Sequence, residues 1–506
     1  MPRALLSVFD KSGIQGFALE LRALGFELLA SGGTAEALAA SGIDTISIAD
    51  VTGFPELLGG RVKTLHPAIH GGILAGREPG HLDELARHDI VPIDLVAVNL
   101  YPFAQVAADE AAGEATVIEN IDIGGPTLLR AAAKNFADVL AICDPEDYPA
   151  VIEALQAGGA DRDLRLRLAR KAFAHTAGYD AAIVQWFNRG EALPESIFFA
   201  LEHAASLRYG ENPHQGGARY REGGTTGWSD RAIQHSGIEL SYLNLFDTDA
   251  AWRLVHELPA GAAAVIVKHA NPCGVAVTGD IETAYRRAFD CDPKSAFGGI
   301  VALNSNVTPD LATAIRSNPK ADVVIAPGYD DGAIETLTHK RKNLRVLEAP
   351  PPGAPSLDLR RIDGGVLVQT TDTVDIDRSG WRTVTKRQPT EAEWQDLQLA
   401  WVVCAHTKSN AVVMATAGQA VGIGAGQQSR VDACEIAARK AAGRARGGAC
   451  ASDAFFPFRD GVDVAAQAGV SAVIQPGGSL RDDEVIEAAN QAGMAMVFTG
   501  KRHFRH

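Results

Sequence analysis

Short apolar runs alternate with amphipathic stretches along the first 150 residues of the chain. Runs of small and β-branched residues predict buried strands, and apolar positions spaced by three and four predict the helices between them. The predicted strands are 4–9, 27–30, 45–48, 95–99 and 139–142, and the predicted helices include 13–24, 34–40 and one or two helices over 162–188. This alternation predicts an α/β fold with a doubly wound parallel sheet of modest size.

A second α/β region is predicted from about residue 197, after a polar stretch around Pro194. Its predicted strands are 262–267, 299–303, 323–325, 365–368, 399–404, 411–415, 420–423, 472–474 and 494–498. The sequence therefore predicts domains at 1–195 and 196–506, with a proline-rich connector near 348–356. Apolar runs precede both Lys268-His269-Ala270-Asn271 and the segment 406–410, which suggests two related subdomains. Pro272 is expected to end any regular element just beyond its strand.

Composition narrows the class of protein. The 506 residues are 46% hydrophobic and 22% charged, as expected of a soluble globular chain. A net charge of −15 argues against nucleic acid and anionic membranes as partners, although small phosphorylated ligands remain compatible with it. We expect a cytoplasmic protein without a signal peptide or a membrane span. The six scattered cysteines fit reduced thiols better than disulfides or a zinc site.

Glycine-rich and basic segments follow the predicted strands of the first domain. Ser31-Gly32-Gly33-Thr34 stands at a strand-to-helix turn, where backbone N–H groups and two hydroxyls could hold a phosphate; a plain turn is the alternative. Asp10-Lys11-Ser12-Gly13 opens at the same sheet edge, where ligands bind in such folds. Residues 59–67 bring two cations that suit a phosphate or a polar heterocycle, or form an exposed basic loop. A metal pair at His66 and His70 is not expected.

Candidate acid–base groups complete this edge. Tyr101 follows one strand, and Asp122 lies in a glycine turn that leads into a helix carrying Arg130 and Lys134. A carboxylate, a phenol and lysines in one pocket would suit a condensation or a dehydration. Together these motifs predict an enzyme that acts on a phosphorylated ligand.

The second domain carries a different set of candidates. A lysine beside a histidine at a strand end, Lys268-His269, disfavours imidazolium and suits a general base; a surface lysine with a hydrogen-bonded histidine is the alternative. Residues 207–215 combine an arginine for phosphate with a tyrosine for stacking, or form a rigid linker. Residues 422–430 form a glycine-rich turn suited to an anion. Residues 452–460 carry three phenylalanines, for the core or for a flat ligand, and the basic tail 501–506 is frayed or folds over a phosphate.

Taken in order, these motifs closely resemble those of the bifunctional purine-biosynthesis family that joins AICAR formyltransferase to IMP cyclohydrolase. The motifs that carry the resemblance are 31–34, 61–67, 121–125, 208–215, 268–274, 422–430 and 452–460. The resemblance implies a methylglyoxal-synthase-like first domain that closes formyl-AICAR to IMP with loss of water. It implies a second domain of two cytidine-deaminase-like α/β subdomains that moves a formyl group from 10-formyltetrahydrofolate to AICAR. Members of the family are homodimers with formyltransferase sites across the subunit interface.

The resemblance also implies roles for residues of the formyltransferase site. His269 would take the amine proton, Lys268 would tune it and help to protonate the leaving folate nitrogen, and Asn410 would orient the reacting groups. AICAR would be held by Arg208, Tyr209, Gly298, Asp322 and Arg502. The folate site would be lined by Arg430, Val431, Phe455, Asp460, Ile474 and Gln475.

For the cyclohydrolase, the resemblance implies Lys134 as proton donor and acceptor, with Tyr101, Asp122 and Lys63 as further catalytic residues. The nucleotide would be surrounded by Phe9, Asp10, Lys11, Ser31, Gly32, Gly33, Thr34, Arg61, Val62, Lys63, Thr64, Val98, Asn99, Asp122 and Ile123.

No tightly bound cofactor and no catalytic metal are expected, and 10-formyltetrahydrofolate would serve as co-substrate. Ala276 stands where a zinc deaminase would carry the second cysteine after Pro272-Cys273. A monovalent cation near the AICAR site is left open. The alternatives are a zinc nucleotide deaminase, an inactive nucleotide-sensing regulator and, from residues 422–426, an NAD-dependent oxidoreductase.

Overall fold

A computed structural model describes residues 1–353 and 357–506 of the chain. The chain separates into two compact units, Met1–Glu202 with Glu222–Gly224, and His203–Arg221 with Thr225–His506. The strands β6 (Leu201–Leu207) and β7 (Gly217–Glu222) form a separate two-stranded sheet. The predicted connector near 348–356 falls partly on residues 354–356, which lie outside the described residues.

The first unit is built on a five-stranded parallel sheet with the order β3-β2-β1-β4-β5. Its strands are β1 (Arg3–Val8), β2 (Glu27–Ala30), β3 (Ile46–Ser47), β4 (Leu95–Asn99) and β5 (Leu140–Ile142). Its helices are α1 (Ile14–Ala23), α2 (Gly32–Ala39), α3 (Ile48–Thr52), α4 (Pro67–Leu74), α5 (Pro79–Arg87), α6 (Phe103–Ala107), α7 (Glu114–Glu119), α8 (Gly124–Lys134), α9 (Tyr148–Gln156) and α10 (Arg162–Phe187). The predicted doubly wound parallel sheet is confirmed.

Helices cover both faces of this sheet, so its strands are apolar on both sides. Leu5 packs into one core cluster and its neighbour Leu6 into the other. The predicted strand 45–48 is shorter than expected, because the Ser47 hydroxyl accepts the Asp50 N–H at 3.0 Å and starts α3 there. Residues 162–188 form one helix, α10, whose N-terminus is capped by Asp161.

The second unit is built on a twelve-stranded mixed sheet. Its strands are β8 (Ile233–Ser236), β9 (Ala262–Lys268), β10 (Asn271–Thr278), β11 (Ile300–Leu303), β12 (Val323–Ala326), β13 (Arg345–Glu348), β16 (Arg382–Thr383), β17 (Val412–Thr416), β18 (Gln419–Gly424), β19 (Ala449–Ser452), β20 (Ala472–Gln475) and β21 (Ala495–Phe498). The strands β14 (Leu357–Ile362) and β15 (Gly365–Thr370) form a separate hairpin. The helices are α11 (Trp228–Arg231), α12 (Tyr242–Glu257), α13 (Ile281–Cys291), α14 (Pro309–Ser317), α15 (Ala333–Thr338), α16 (Glu391–Ala405), α17 (Arg430–Ala441), α18 (Asp460–Gln467) and α19 (Asp482–Gln491).

The twelve-stranded sheet consists of two copies of one pattern. From its centre outward, the strand order is β10-β9-β11-β12-β13-β8 on one side and β18-β17-β19-β20-β21-β16 on the other. The first repeat therefore spans residues 233–348 and the second 382–498. Glu257 and His406 end equivalent helices 149 positions apart and hydrogen bond to each other. The same offset relates the starts of β11 and β19 and of β12 and β20.

The two repeats form one common core on one face of the sheet and two separate cores on the opposite face. On one face, α12 and α16 pack together in a common core that includes Trp252 and Trp401. On the opposite face, the helices of each repeat cover their own half of the sheet in separate cores. This three-layer arrangement confirms the prediction of two related α/β subdomains.

Three expectations for this unit were wrong. Residues 399–404 belong to α16, whose apolar run is buried all round and therefore looks like a buried strand in the sequence. Pro272 does not end an element but lies in β10, beside a bulge where its missing N–H is tolerated. The segments 268–271 and 406–410 are not equivalent, since the first is a hairpin turn and the second joins α16 to β17. No helix among the described residues is long and apolar enough to span a membrane.

Candidate functional site

At the carboxyl edge of the first unit's sheet, two side chains predicted to contact a nucleotide form hydrogen bonds between neighbouring segments. The Asn99 side-chain oxygen accepts the N–H groups of Phe9 and Asp10 at 2.5 and 2.8 Å. The Thr34 hydroxyl lies 3.0 Å from both the N–H and the carbonyl oxygen of Val8. These bonds hold the end of β1 against β4 and α2, so Asn99 and Thr34 shape the edge.

A lysine pair lies over this edge. Lys63 approaches the Gly32 turn so closely that a Cβ at Gly32 would lie 3.1 Å from its Nζ. Gly32 also has a φ of +46°, which glycine adopts most readily. Burial, and then the charge of Lys63, lower the pKa of Lys11. Two ammonium groups near a glycine turn are the kind of groups that suit an anionic ligand.

A half-buried carboxylate lies close enough to Lys63 to feel its charge. Asp122 accepts the N–H of Gly125 at 2.8 Å and also that of Tyr101. Burial raises the pKa of Asp122, although these hydrogen bonds and the charge of Lys63 oppose the rise. Burial, followed by the charges of Asp122 and Glu119, raises the pKa of the Tyr101 phenol. Asp122 is thus poised to exchange a proton next to a cation.

Other predicted residues surround this cluster. The rings of Phe9 and Tyr101 meet edge to face with centroids 5.6 Å apart, and both remain partly exposed. Thr64 is buried against Gly124, and Ile123 is exposed. Arg61 forms an exposed ion pair with Glu119. The remaining predicted residues lie nearby. The hydroxyls of Ser31 and Ser7 hydrogen bond to each other at 2.8 Å, and Gly33 is in the first turn of α2. Val62 pairs with Leu57 in an isolated antiparallel β-bridge.

Two predicted residues are not brought to this edge. Val98 points into the core on one face of the sheet. Lys134 is exposed at the last position of α8, whose first residue, Gly124, lies beside Thr64. With a rise of about 1.5 Å per residue, the helix separates these two ends by about 15 Å. Within one chain, Lys134 therefore lies away from the cluster of Lys63, Tyr101 and Asp122.

In the second unit, His269 lies in the tight turn between β9 and β10. His269 and Ala270 have φ values of +55° and +54°, in the left-handed region. The carboxylate of Asp247 in α12 accepts their N–H groups at 3.1 and 2.8 Å. The Lys268 ammonium donates to the Phe297 carbonyl at 2.8 Å, and the His269 side chain is exposed. The turn thus presents an imidazole and an ammonium at one sheet edge.

These two side chains line a cavity of about 290 Å³. Asn271, Cys273, Ser295, Gln427 and Lys440 also line it. Burial raises the pKa of the Cys273 thiol to about 12, so this group stays protonated at neutral pH. Lys440 is paired with Asp292 at 2.9 Å. His269 is therefore the group at this cavity that suits a general base.

Asn410 is held in place by its neighbours. Its amide nitrogen donates to the carbonyls of Gln427 and Gln428 at 2.9 and 3.0 Å, and its oxygen accepts from Arg430 at 2.7 Å. The buried Arg430 guanidinium also bonds Ser452 and forms an ion pair with Asp453. Arg430 thus fixes the orientation of the Asn410 side chain.

The Asn410 loop connects to the His269 turn through one hydrogen bond. The side-chain oxygen of Asn271 accepts the Lys408 N–H at 2.9 Å. Asn410 itself lines a second cavity of about 440 Å³. Its lining includes Asn410, Arg430, Val431, Phe455, Phe458, Asp460, Arg502 and Phe504.

Most of the predicted folate-contacting residues meet in this second cavity. Phe455 and Phe458 are partly exposed to it, whereas Phe456 is fully buried in the core. Two predicted residues do not line it: Ile474 packs into the shared core, and the buried Gln475 accepts the Phe456 N–H at 2.8 Å. A flat ring could stack on the exposed phenylalanines.

Of the five predicted AICAR contacts, Arg502 lines the second cavity and the other four line neither cavity. One residue near these four was missed by sequence reasoning. The Arg208 guanidinium lies 5.2 Å from the Tyr209 ring centroid. Arg345 is buried, and burial lowers its pKa. The charge of Asp322 opposes this decrease, as does that of Tyr209, whereas the charge of Arg208 adds to it. The signal for Arg345 in the sequence was a charged residue directly before the apolar pair Val346-Leu347 of β13. Gly298 donates to the Lys320 carbonyl at 2.7 Å, next to the Phe297 that binds Lys268.

The C-terminal tail is packed against the Asn410 loop and is not frayed. The Arg505 carbonyl accepts the Ser409 N–H at 2.8 Å, and the His503 N–H donates to the Asp453 carbonyl at 3.0 Å. Among the described residues, no group of three or more His, Cys, Asp or Glu side chains is arranged to hold a metal ion.

Two units with different sheets thus carry two separate clusters of proton-exchanging and anion-binding groups. This combination defines a two-site α/β enzyme. The family model described as AICARFT/IMPCHase bienzyme matches residues 132–440, and the model described as MGS-like domain matches residues 13–127. The chain belongs to the AICARFT/IMPCHase bienzyme family.

Close relatives extend the match over the whole chain. Proteins named "Bifunctional purine biosynthesis protein PurH" from Dinoroseobacter shibae, Bradyrhizobium diazoefficiens and Roseobacter denitrificans are 51%, 50% and 51% identical. Each alignment covers 100% of this chain and 98% of the relative. A solved structure, "Crystal structure of ForH", is 41% identical over 37% of this chain and 98% of that chain, with a TM-score of 0.34.

These matches confirm the predicted family and the methylglyoxal-synthase-like fold of the first domain. They also confirm the predicted function: the chain is a bifunctional enzyme of purine biosynthesis, an AICAR formyltransferase and IMP cyclohydrolase.

Proposed function

We propose that residues 196–506 transfer the formyl group of 10-formyltetrahydrofolate to the 5-amino group of AICAR, and that residues 1–195 close formyl-AICAR to IMP and water. One observation carries the first assignment. The Asn271–Lys408 hydrogen bond joins the His269 turn to the Asn410 loop, and these two segments border the two cavities. A base and a carboxamide are thus held between a space for the amine and a space for the formyl donor.

Formyl transfer needs a base because an aromatic amine is a weak nucleophile. In the proposed step, the amine nitrogen bonds to the formyl carbon, the bond from that carbon to the folate nitrogen breaks, and His269 takes the amine proton. Lys268 supplies a proton to the leaving nitrogen, and Asn410 orients the reacting groups. A positioned base contributes about 10²–10⁴-fold to such a rate.

The proposed contacts follow the geometry of the second unit. AICAR is held by Arg208, Tyr209, Gly298, Asp322 and Arg502. The buried Arg345 adds a second cation near Arg208, and the charge of Asp322 favours its ionised form. The folate ring stacks on Phe455 beside Val431 and Asp460, which line the larger cavity. Arg430 supports Asn410, and Ile474 and Gln475 support the cavity from behind.

His269→Ala tests the formyltransferase assignment. We expect formyl transfer to fall by about 10²–10⁴-fold, while cyclisation of supplied formyl-AICAR stays at the wild-type rate. Tetrahydrofolate release and IMP formation, followed by absorbance, report the two steps separately. Full formyl transfer by the variant would disprove the role of His269.

For ring closure, the supporting feature is the cluster of Asp122, Tyr101 and Lys63. The reaction is intramolecular, so the site has to fold the formamide onto the carboxamide and stabilise the developing oxyanion. Lys63 and the Tyr101 hydroxyl suit the oxyanion, and the half-buried Asp122, whose pKa is raised by burial, suits proton exchange. Lys11 and the Gly32 turn suit the nucleotide phosphate.

Asp122→Asn tests this assignment, and Lys134→Ala tests the role that the resemblance gave to Lys134. We expect Asp122→Asn to lose about 10²-fold or more in cyclisation and to accumulate formyl-AICAR. Because Lys134 lies away from the cluster within one chain, an equal loss in Lys134→Ala would mean that it reaches the site of another subunit. Wild-type cyclisation in Asp122→Asn would disprove the assignment.

We further propose that the enzyme is a cytoplasmic homodimer that binds neither nucleic acid nor membranes. The net charge of −15 supports the absence of such partners. The hairpin β14–β15 supports association, because it exposes four apolar side chains: Leu359, Ile362, Val366 and Leu367. A sedimentation measurement at micromolar concentration tests the dimer, and a single monomeric species would contradict it.

A further inference from the structure

The same device holds a hairpin turn in each repeat of the second unit. In the first repeat, the Asp247 carboxylate accepts two successive N–H groups, those of His269 and Ala270. In the second repeat, the Asp396 carboxylate accepts those of Ala417 and Gly418, both at 2.9 Å. Both carboxylates are almost completely buried, and burial raises the pKa of each.

The helices that carry these aspartates are also equivalent. Asp247 follows the N-cap Ser241 of α12 by six positions, and Asp396 follows the N-cap Thr390 of α16 by the same number. Each cap forms a capping box with the side chain of the third helical residue. The two helices therefore begin in the same way and bring their aspartates to the same height over the sheet.

The turns differ in what they carry. The first turn holds His269 and Ala270 at φ values of +55° and +54°, a conformation that costs energy in residues with a Cβ. The second turn places Ala417 at +53° and a glycine, Gly418, at +76°. Glycine adopts this conformation freely, so the second turn needs its aspartate less.

We propose that Asp247 is a positioning residue for formyl transfer: by binding both N–H groups of the turn, it holds His269 in the left-handed conformation that presents the imidazole to the cavity. This inference rests on the proposed role of His269. Asp396 makes the same bonds to a turn without catalytic groups, and its removal measures the purely structural contribution of such a carboxylate.

The test compares Asp247→Asn with Asp396→Asn in the full-length enzyme. In each variant, one backbone N–H faces an amide NH₂ group in place of a carboxylate oxygen. We expect the midpoint of urea unfolding to decrease in both variants, and to decrease more in Asp247→Asn, whose turn holds two residues with a Cβ in the left-handed region. We expect kcat of formyl transfer to fall by about 10–100-fold in Asp247→Asn alone, with KM for AICAR changed by less than about threefold. Cyclisation serves as the internal control and should stay at the wild-type rate in both.

A rescue variant separates positioning from folding. Ala270→Gly gives the first turn the glycine that the second already has at Gly418, and so reduces the strain that Asp247 opposes. We expect the double variant Asp247→Asn, Ala270→Gly to recover part of the lost kcat. If Asp247→Asn does not yield folded protein, Asp247→Ser, whose hydroxyl can accept one N–H, takes its place in both comparisons.

Two results would overturn the inference: an equal loss of formyl transfer in the Asp247 and Asp396 variants, or no recovery in the double variant. His269→Ala distinguishes the inference from the proposed function. If His269→Ala is inactive and Asp247→Asn is fully active, only the role of Asp247 fails. If His269→Ala keeps full formyl transfer, the proposed function of the turn fails as well.

Discussion

Glu393 shows how one residue can join the start of a helix to the strands beneath it. Its carboxylate completes the capping box of α16 with Thr390 and accepts hydrogen bonds from Arg387 at 2.8 and 2.9 Å. It also accepts the Ser471 hydroxyl, just before β20. Burial alone would raise the pKa of Glu393, but these hydrogen bonds outweigh burial and lower the pKa to about 2.

This lowered pKa predicts acid sensitivity. Because the folded pKa lies below the ordinary value of 4.5, ionised Glu393 stabilises the fold above pH 4.5, and this contribution is lost as the pH falls toward 2. The shift corresponds to about 3 kcal/mol. We expect the free energy of unfolding of Glu393→Gln to lie well below that of wild type at pH 7, and the gap to narrow between pH 4.5 and pH 3. Urea unfolding at several pH values measures the gap, and a constant gap would contradict the prediction.

Some residues of the site could be predicted from the sequence and others could not. Lys268, His269 and Asn410 were predicted from a motif, and the structure brings their segments together through Asn271. Asp247 and Arg345 were not predicted, because a lone aspartate in a helix or an arginine in a strand has no pattern that points to a distant partner. Their roles depend on contacts over 22 or more positions of sequence, which only the tertiary fold creates.

At the scale of elements, close packing of strands against helices explains two glycines of the second unit. A Cβ at Gly274 in β10 would lie 2.0 Å from the Ala288 carbonyl oxygen of α13. A Cβ at Gly422 in β18 would lie 2.1 Å from the Ala437 carbonyl oxygen of α17. These positions are equivalent in the two repeats. Gly422 in the glycine-rich segment 422–430 therefore serves strand–helix packing, which weakens its use as a dinucleotide signal.

We expect Gly422→Ala to destabilise the enzyme by about 1–3 kcal/mol, because the added methyl group meets helix backbone that cannot move aside. Urea unfolding followed by circular dichroism measures this loss. Gly279→Ala is the matched control, since no atom lies within 4 Å of its added Cβ, and its stability should stay within about 0.5 kcal/mol of wild type. Equal stability of the two variants would refute the packing argument.

Elements also show where the sequence pattern is ambiguous. The first unit was predicted almost strand by strand, because its strands are short apolar runs separated by amphipathic helices. The strand prediction for residues 399–404 was wrong, because these residues lie in a helix that is buried on all sides. Such a helix has no polar face, so its sequence does not show the helical period. The prediction that Pro272 ends its element was wrong, because a bulge in β10 accommodates the proline.

At the scale of the whole molecule, the proposed homodimer predicts complementation between inactive subunits. If the formyltransferase site combines Arg208 of one subunit with Asn410 of the other, a mixture of Arg208→Ala and Asn410→Ala subunits forms hybrid dimers with one intact site. We expect the mixture, after dissociation and reassociation, to recover about a quarter of wild-type formyl transfer, as random pairing of two subunit types dictates. Each variant treated alone is the control. An inactive mixture would place both residues in one subunit.

The pair of Glu257 and His406 has a consequence for how the two repeats could diverge. The His406 ring accepts from Arg505 at Nδ1 and binds Glu257 through Nε2, at distances of 3.1 and 2.9 Å. These two residues occupy equivalent positions, so in a dimer of identical single repeats the same side chain would face its own copy. Two glutamates would then repel each other, and two histidines would lack an acceptor. Two repeats in one chain are free of this restriction, because equivalent positions can carry different residues. One repeat can therefore hold the histidine turn while the other holds the asparagine loop.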